Sequence, residues 1–251
     1  MNREATDLAG VRHMNYETLG STNAEALAAA RAGERGPLWI SARTQSAGRG
    51  RRGSHWVSPA GNLHATLLLS EPSPPAHAPQ LSFVAALAVH DAISACAPQL
   101  GPDLKVKWPN DLLLGKAKVA GILIEGESEP AFAVAIGIGV NCAAHPDNTD
   151  YPAADLASLG ALVVPDALLP ELAGAMRKRL AQWKGGQGFA ATRADWLKRA
   201  AGLGETLQVR LPERALSGRF QGLDDAGRLL LDQAGRVTPV TAGEVFGFGE
   251  R

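Results

Sequence analysis

The hydrophobic pattern of this chain changes once, near Gly202, and the change limits the folds open to it. Before Gly202, some segments have apolar residues at helical spacing and others alternate apolar and polar residues as strands do. After Gly202, Leu207, Val209 and Leu211 alternate, and further short alternating runs follow between turn signals such as Asp224–Gly227. The first part therefore mixes helices and strands, whereas the last ~50 residues contain strands only.

The pattern predicts an α+β chain of two domains: a mixed sheet with helices on one side at residues 1–202, and a small SH3-like β-barrel of short strands at 203–251. The first helix is predicted to open with a capping box formed by Thr22 and Glu25. The predicted helices cover 22–32, 81–95, 168–183 and 189–201, and the predicted strands cover 63–69, 105–108, 112–114, 119–125 and 131–140.

Charge and cysteine content exclude several classes of protein. Lys plus Arg and Asp plus Glu each number 25, so the formal net charge is zero, which argues against a chain that binds nucleic acid over its whole surface. Hydrophobic residues make up 45% of the chain, enough for a sizeable core. Cys96 and Cys142 are too few for a disulfide framework or a cysteine-rich zinc site, and the six histidines lack metal-ligand spacing.

The apolar segments are short. The strongest of them, residues 83–89 and 131–140, fall far below the ~20 residues that a membrane-spanning helix needs. The first ten residues lack the apolar core of a signal peptide. We therefore expect a soluble cytoplasmic protein without a membrane partner.

A glycine- and arginine-rich segment, TQSAGRGRRGSHW, lies at residues 44–56. Arg49, Arg51 and Arg52 alternate with glycines, and no acidic residue interrupts them. Glycine lets the backbone approach a ligand closely, and guanidinium groups suit carboxylates and phosphates. The segment predicts an anion-binding loop, although its spacing is not that of a P-loop. An RNA contact or a solvated loop remains open on composition alone.

The segment KVKWPNDLLLGKAKVAGILIEGE at residues 105–127 crowds a cation, an aromatic ring, an amide and a carboxylate around Pro109, which breaks a regular ladder. Lys118 follows a predicted hairpin turn and begins an apolar strand, where it can point into a pocket as a fixed charge. The alternative is that Lys116 and Lys118 are both solubilising turn lysines.

Two shorter segments are ambiguous by themselves. The strand at 136–141, IGIGVN, carries glycines that leave room for a flat ligand, and Asn141 has the donor and acceptor to pair with adenine. An alternative interpretation explains residues 136–141 equally well: a packed strand, with Asn141 in the turn that follows it. Ser21–Asn23 marks a helix N-terminus, which favours anions but is also an ordinary cap. Cys142 has no activating histidine that the sequence identifies, so we interpret it as a buried residue.

Taken together, these segments resemble the biotin protein ligases. The resemblance is carried, in chain order, by STN at 21–23, QSAGRGRRG at 45–53, KWPND at 107–111, KVAGILIE at 118–125 and GIGVN at 137–141. It covers nearly the whole chain and includes the all-β C-terminal module. The fold that it implies is the catalytic domain of these ligases, related to class II aminoacyl-tRNA synthetases, followed by the barrel.

The resemblance implies a two-step reaction. ATP and biotin form biotinyl-5′-AMP and pyrophosphate, with Mg²⁺ as activator, and biotin then passes to a lysine of a biotin carboxyl carrier domain. No tightly bound cofactor is implied. The resemblance assigns biotin's ring head to Ser21, Thr22, Asn23 and Gln45; the carboxylate and phosphate to Arg49, Gly50 and Arg51; and their junction to Lys118. It places Gly121 at the floor, Trp56 on the ligand tail and Asn141 at adenine, and makes Asp111 a loop-orienting residue or magnesium contact.

In that assignment Lys118, Arg51 and Arg49 are the catalytic residues, while Arg51, Trp56, Asn141, Lys118 and Asp111 contact ATP. The chain departs from the family at Ser46, often Thr or Gln there, and at His64, often Tyr. Only 20 residues precede Ser21, too few for the helix-turn-helix domain of bifunctional repressor-ligases, so we expect the short form without DNA binding. We also expect residues 48–55 to be mobile without ligand.

Three alternatives stay open. One is a lipoate or octanoate ligase on the same fold, against which the pairing of GRGRRG with KWPND argues. Another is an RNA-binding protein, which the zero net charge disfavours. The third is a module that binds biotin without reacting. A homodimer and a monomer are both compatible with the sequence.

Overall fold

Two β-sheets organise the protein, as a computed structural model shows for residues 3–147, 149–211 and 213–246. The large sheet has eight strands in the order β1-β2-β3-β4-β8-β7-β6-β5. Its β2–β3 pair is parallel and its other pairs are antiparallel, so the predicted mixed sheet is confirmed. The strands are β1 (Arg3–Leu8), β2 (Val11–Leu19), β3 (Leu38–Gln45), β4 (Leu63–Ser70), β5 (Leu104–Lys107), β6 (Asp111–Leu114), β7 (Ala117–Glu127) and β8 (Ala133–Val140).

Helices cover both faces of this sheet, so the prediction of helices on one side is wrong. The helices are α1 (Thr22–Arg31), α2 (Leu81–Cys96), α3 (Pro165–Trp183) and α4 (Phe189–Leu197). Along β3, Leu38 and Ile40 belong to the cluster beneath α1, whereas Trp39 belongs to the larger cluster that contains α2 and α3. Successive strand residues point to opposite faces, and here both sets are apolar, so each face requires its own helical cover.

Predicted helix ends differ from the structure at α1, α3 and α4. Helix α3 begins at Pro165, three residues before the predicted start at 168. Ser21, not Thr22, is the N-cap of α1, and its Oγ accepts from the backbone N–H of Ala24 at 3.4 Å. The shift frees the Thr22 hydroxyl for tertiary contacts. Helix α4 ends at Leu197 rather than at residue 201, because Ala201 N–H donates to Val106 O at 2.8 Å and extends the edge of β5.

Strands β1, β2 and β3 were not predicted. In β2 the polar His13 is buried beside Met14 and Tyr16, so the strand lacks a clean alternation of apolar and polar residues. His13 Nε2 lies 2.8 Å from Ser41 Oγ on β3, and this partner makes the burial of the ring acceptable. A pairing between separate strands leaves no local signal in the sequence.

The C-terminal module is a five-stranded antiparallel sheet of the SH3-like kind, in the order β12-β11-β10-β9-β13. Its strands are β9 (Thr206–Arg210), β10 (Ala215–Leu223), β11 (Leu229–Gln233), β12 (Arg236–Val240) and β13 (Glu244–Phe246). The predicted turn at Asp224–Gly227 lies against the first module: Trp108 Nε1 donates to Gly227 O at 3.1 Å. A Cβ on Gly227 would lie 2.9 Å from the Phe83 ring, so this turn needs glycine for space as well as for its φ of +80°.

Within the described residues, no helix combines the length and apolarity that crossing a membrane requires.

Candidate active site

A cavity of about 590 Å³ opens on the α1 face of the large sheet, beside the N-terminus of α1. One row of register partners forms its floor: Lys107 pairs with Asp111, Asp111 with Gly121, and Gly121 with Gly139. Residues directly opposite each other in neighbouring strands point to the same face. The register therefore brings two polar side chains and two glycines, far apart in sequence, to one surface.

Asp111 carries two lysines. Its carboxylate lies 2.8 Å from Lys118 Nζ and 3.6 Å from Lys107 Nζ. Lys107 and Asp111 are buried, and the Lys118 side chain is 14% exposed. Burial works to lower the pKa of Lys118, but the Asp111 carboxylate, together with Tyr151 and Glu244, outweighs it and leaves that pKa above its ordinary value. Burial dominates at Lys107, whose pKa is lowered. Lys118 is therefore held as a fixed cation, and the group keeps a surplus positive charge.

The two floor glycines make room for Trp56. A Cβ on Gly139 would lie 2.5 Å from the indole, and one on Gly121 would lie 3.0 Å from it. The sequence predicted that the glycines near Asn141 leave space for a flat group; in this structure the flat group is the Trp56 ring. Lys118 Nζ lies 5.4 Å from the Trp56 ring centroid and 5.0 Å from that of Tyr151, within cation–π range.

The arginine loop (Gly48–His55) folds as a tight hairpin. The backbones of Arg49 and His55 form an isolated antiparallel β-bridge, and Gly50 N–H donates to Ser54 O at 2.7 Å. A Cβ on Gly50 would lie 2.4 Å from Ser54 Oγ, so a side chain at this position would require the Ser54 hydroxyl to move. Arg52 takes a left-handed φ of 55° at the tip. The loop has ordered contacts in this structure, and its mobility without ligand stays a prediction.

The loop arginines reach different partners. Arg49 Nη2 donates to Glu125 Oε2 at 3.0 Å, and Arg51 Nη1 donates to Asn110 Oδ1 at 3.2 Å and to Gly243 O at 3.3 Å. Asn110 is held in turn by the Ile122 carbonyl, which accepts from its Nδ2 at 2.6 Å. Arg51 thus ties the loop to the bend after β5 and to the C-terminal module.

Thr22 and Gln45 form a polar corner at the start of α1. Gln45 Oε1 accepts from the Thr22 N–H at 2.8 Å and from its hydroxyl at 3.1 Å, and Gln45 Nε2 donates to Ser58 Oγ at 2.9 Å. The Thr66 hydroxyl on β4 lies 2.8 Å from the Thr22 hydroxyl and so adjoins this corner. Ser21, Thr22 and Gln45 all line the cavity, so three of the predicted ring-head residues meet there.

Asn23 also lines the cavity but faces a different set of partners. Its Nδ2 donates to Glu125 Oε2 at 2.8 Å and to Leu123 O at 3.3 Å, and its Oδ1 accepts from Thr66 Oγ1 at 2.7 Å. A Cβ on Gly137 would lie 2.4 Å from Asn23 Oδ1, so the amide presses directly on the sheet.

Asn141 is the predicted site residue that the structure does not bring to the cavity wall. It is buried, and its Nδ2 donates to Ala154 O at 3.0 Å while its backbone N–H donates to Val119 O at 2.8 Å. In this geometry it joins the end of β8 to the following segment. Its contact with adenine stays a prediction.

Sequence reasoning assigned no role to several residues that line or support the cavity. They are Lys107, Asn110, Thr149, Asp150, Tyr151, Gly243, Glu244 and Val245 on its wall, and Ser58, Thr66 and Glu125 behind it. Lys107 and Asn110 belong to a motif that the sequence did single out. The others lie outside the predicted motifs or, like Glu125, at the end of one.

The cavity is built for anions. It collects Arg49, Arg51, Arg52, Lys107 and Lys118, against the carboxylates of Asp111, Asp150 and Glu244. Among the described residues, no group of three or more His, Cys, Asp or Glu side chains could hold a metal ion. Burial raises the pKa of the nearby Cys142 thiol to about 12, so it is no nucleophile at neutral pH. Such a site favours reactions that need positioning and charge neutralisation.

Comparison with known proteins gives a consistent result. Residues 21–141 match the model of the Biotin/lipoate A/B protein ligase family, and residues 202–246 match the Biotin protein ligase C terminal domain. A biotin--[acetyl-CoA-carboxylase] ligase of Paracoccus denitrificans is 47% identical over 236 residues, covering 90% of this chain and 96% of that protein. One of Mycobacterium tuberculosis is 34% identical over 235 residues, covering 90% and 85%.

A similar solved structure has the same fold. The biotin protein ligase of Aquifex aeolicus in complex with biotin and ATP superposes with a TM-score of 0.80, at 23% identity, over 93% of this chain and 97% of that one. The match extends through both sheets of the present chain.

Proposed function

This chain belongs to the biotin protein ligases of the Biotin/lipoate A/B protein ligase family, and from that premise we propose that it activates biotin with ATP and transfers it to a lysine of a carrier domain. The observation that carries the proposal is the cavity beside α1, where the arginine loop, the Lys107–Asp111–Lys118 group and the polar corner at Thr22 and Gln45 meet. The two curated relatives are named for the acetyl-CoA carboxylase that they modify, and we propose the same class of acceptor for this chain.

In the first step, a biotin carboxylate oxygen attacks the α-phosphorus of ATP, and the bond to the β-phosphate oxygen breaks to release pyrophosphate. Negative charge grows at the carboxyl–phosphoryl junction in the transition state. We assign its neutralisation to Lys118 and Arg51, with Arg49 and the Gly50 backbone binding the same anion, because preorganised donors there need no reorganisation during reaction. Trp56 and the floor at Gly121 then pack against the ligand tail.

In the second step, the neutral ε-amine of the acceptor lysine attacks the carbonyl carbon of biotinyl-5′-AMP. The amide bond forms, the bond from the carbonyl to the phosphate oxygen breaks, and AMP leaves while the amine loses a proton. The mixed anhydride must be kept from water between the two steps. The arginine loop, which lies over the cavity, is suited to that task because a closed site limits hydrolysis.

The ring head is assigned to Ser21, Thr22, Asn23 and Gln45. Hydrogen-bonding groups at a polar corner suit a ligand with both N–H donors and a carbonyl acceptor. We also keep the predicted contact between Asn141 and adenine. Asn141 donates to Ala154 O, and Tyr151, three residues before Ala154, lines the cavity, so the two lie on one segment beside the site.

Asp111 suits an orienting role better than a magnesium contact. Its carboxylate is already paired with Lys118 and Lys107, and displacing two ammonium groups opposes metal binding there. We propose that magnesium arrives with ATP as part of the substrate, since Mg²⁺ is commonly held by substrate phosphates with one or two carboxylates.

The remaining expectations are separate proposals. The two-domain division at residue 202, the absence of DNA binding, the cytoplasmic location and the choice between monomer and homodimer each require their own measurement. The lipoate ligase alternative shares the family model, but both relatives above are biotin ligases. An RNA-binding role has no comparable support.

The test is incubation of the protein with biotin, Mg-ATP and a carboxylase carrier domain, followed by mass spectrometry of the carrier. We expect one added biotinyl group and release of pyrophosphate. Lipoate replaces biotin in a parallel reaction, and a carrier whose acceptor lysine is changed to arginine is the matched control. Transfer of lipoate in preference to biotin, or pyrophosphate release without carrier modification, contradicts the proposal.

A further inference from the structure

We propose that Glu125 is a positioning residue that holds both Asn23 of α1 and Arg49 of the arginine loop, and so joins the ring-head end of the cavity to its anion-binding end. The inference rests on the proposed function for the identity of the ligand. Its structural part, the tie between Glu125 and the loop, does not depend on any ligand.

One carboxylate oxygen makes both contacts. Glu125 Oε2 accepts from Asn23 Nδ2 at 2.8 Å and from Arg49 Nη2 at 3.0 Å. Asn23 is 3% exposed, so its amide needs partners inside the protein. Arg49 is partly exposed, and its side chain meets this carboxylate from the solvent side.

The carboxylate is the nearer of two acceptors that orient the Asn23 amide. Glu125 Oε2 and Leu123 O are both acceptors, so the nitrogen must point at them and uses both of its protons there. Thr66 Oγ1 donates to Asn23 Oδ1 at 2.7 Å, which leaves that oxygen one free acceptor position. With Glu125 present, Asn23 offers the cavity an acceptor, which suits an N–H group of a ligand ring.

The same oxygen restrains the loop. Arg49 is the first arginine of the loop, and its ion pair with Glu125 joins positions 76 apart in the chain. The pair spans the edge of the cavity beside Asn23. Removal of the carboxylate therefore removes the restraint on the loop at Arg49 and, independently, the nearer of the two acceptors that orient the Asn23 amide.

The first experiment uses no ligand. Tryptic cleavage within the arginine loop is compared in wild type, Glu125→Ala, Glu125→Gln and Glu127→Ala. Glu127 is the matched control, because it lies two residues further along β7 and its carboxylate accepts from Arg31 at 2.7 Å, away from the loop. We expect cleavage to be about two- to fivefold faster in both Glu125 variants, the range for a partly exposed ion pair, and unchanged in Glu127→Ala.

The second experiment measures biotin binding by calorimetry. We expect Glu125→Ala to bind about tenfold more weakly, as for loss of a well-placed hydrogen-bonding group, and Glu125→Gln to recover most of the affinity. The glutamine carbonyl can still accept from Asn23 and keep its amide oriented, whereas it has no charge to hold Arg49. Recovery of binding without recovery of protease resistance is a pattern that a merely structural role does not produce.

The outcomes separate the two proposals. If both Glu125 variants are cleaved at the wild-type rate, Glu125 does not restrain the arginine loop. If Glu125→Ala binds biotin with wild-type affinity, Glu125 does not orient Asn23. If Glu125→Ala does not fold, Glu125→Gln still decides the loop contact. A wild-type protein that binds no biotin contradicts the proposed function, while the protease comparison still decides the contact between Glu125 and Arg49.

Discussion

Lys118 Nζ lies 2.8 Å from Asp111 Oδ1, an ion pair between the start of β7 and the start of β6 in which Asp111 is buried and Lys118 is nearly so. A buried ammonium group is stable only with such a partner. Lys107 adds a second positive charge at 3.6 Å from the same carboxylate. One aspartate therefore holds two lysines at the cavity floor, and the surplus charge is available to a bound anion.

Replacement of Lys118 by alanine tests this role. We expect Lys118→Ala to slow formation of biotinyl-5′-AMP by about 10²- to 10³-fold, the usual effect of removing one preorganised donor. Asp111 keeps Lys107 as a partner, so we expect the variant to fold. The measurement is pyrophosphate release at saturating biotin and ATP, with a thermal melt of each protein.

Lys116 is the matched control for Lys118. It is exposed in the turn between β6 and β7, two residues away. We expect Lys116→Ala to keep the wild-type rate and stability within ~0.5 kcal/mol. A normal rate in a well-folded Lys118→Ala removes Lys118 from the reaction.

Trp108 attaches the C-terminal module through its indole N–H. Trp108→Phe loses the 3.1 Å hydrogen bond to Gly227 O, at a cost of about 1 kcal/mol in the free energy of unfolding. Trp196→Phe is the control, because Trp196 is equally buried but its Nε1 has no hydrogen-bond partner among the described residues. We expect Trp108→Phe to unfold at a lower urea midpoint than Trp196→Phe. Equal midpoints in the two variants contradict the role of this hydrogen bond.

The space above Gly139 is predicted to be essential for the position of Trp56. Gly139→Ala places a methyl group 2.5 Å from the indole and must displace it, so we expect a higher KM for biotin and ATP. Gly126→Ala on β7 is the control, since its methyl group meets the Phe132 ring at an ordinary 3.7 Å. Steady-state kinetics of both variants decide the matter: an unchanged KM in Gly139→Ala shows that the site does not need Trp56 there.

Asp195 predicts a pH dependence of stability away from the site. Hydrogen bonds, first from Gln182 and also from Lys198 and Arg179, lower the pKa of Asp195 to about 2. A carboxyl group whose pKa is lower in the folded state stabilises the fold at pH values above its unfolded pKa of about 4. That contribution is lost as the pH falls toward 2. We expect Asp195→Asn to be less stable than wild type at pH 5–8 and the difference to narrow below pH 4.

The control for that experiment is Asp147→Asn, because Asp147 is exposed and forms no ion pair within the described part of the chain. Chemical denaturation at a series of pH values gives the comparison. A difference between wild type and Asp195→Asn that stays constant from pH 7 to pH 2 contradicts the assignment.

The sequence alone determined the parts of this protein whose signals are local. The arginine loop, the bend at residues 107–111 and Lys118 each carry their chemistry within a few neighbouring residues. Helix α2 and strands β4 to β8 were predicted within a few residues, because continuous or regularly spaced apolar side chains mark them.

Only the tertiary structure decided what those parts face. The Asn23–Glu125 contact joins positions 102 apart, and the Asn23–Thr66 contact joins positions 43 apart. Other features likewise depend on partners far along the chain. They are the pairing of strands β1 to β3, the helical cover on both faces of the large sheet, and the position of Asn141 away from the cavity wall. The type of a side chain limits which bonds it can form, but sheet register and packing select its partner. The local sequence pattern determines neither the register nor the packing.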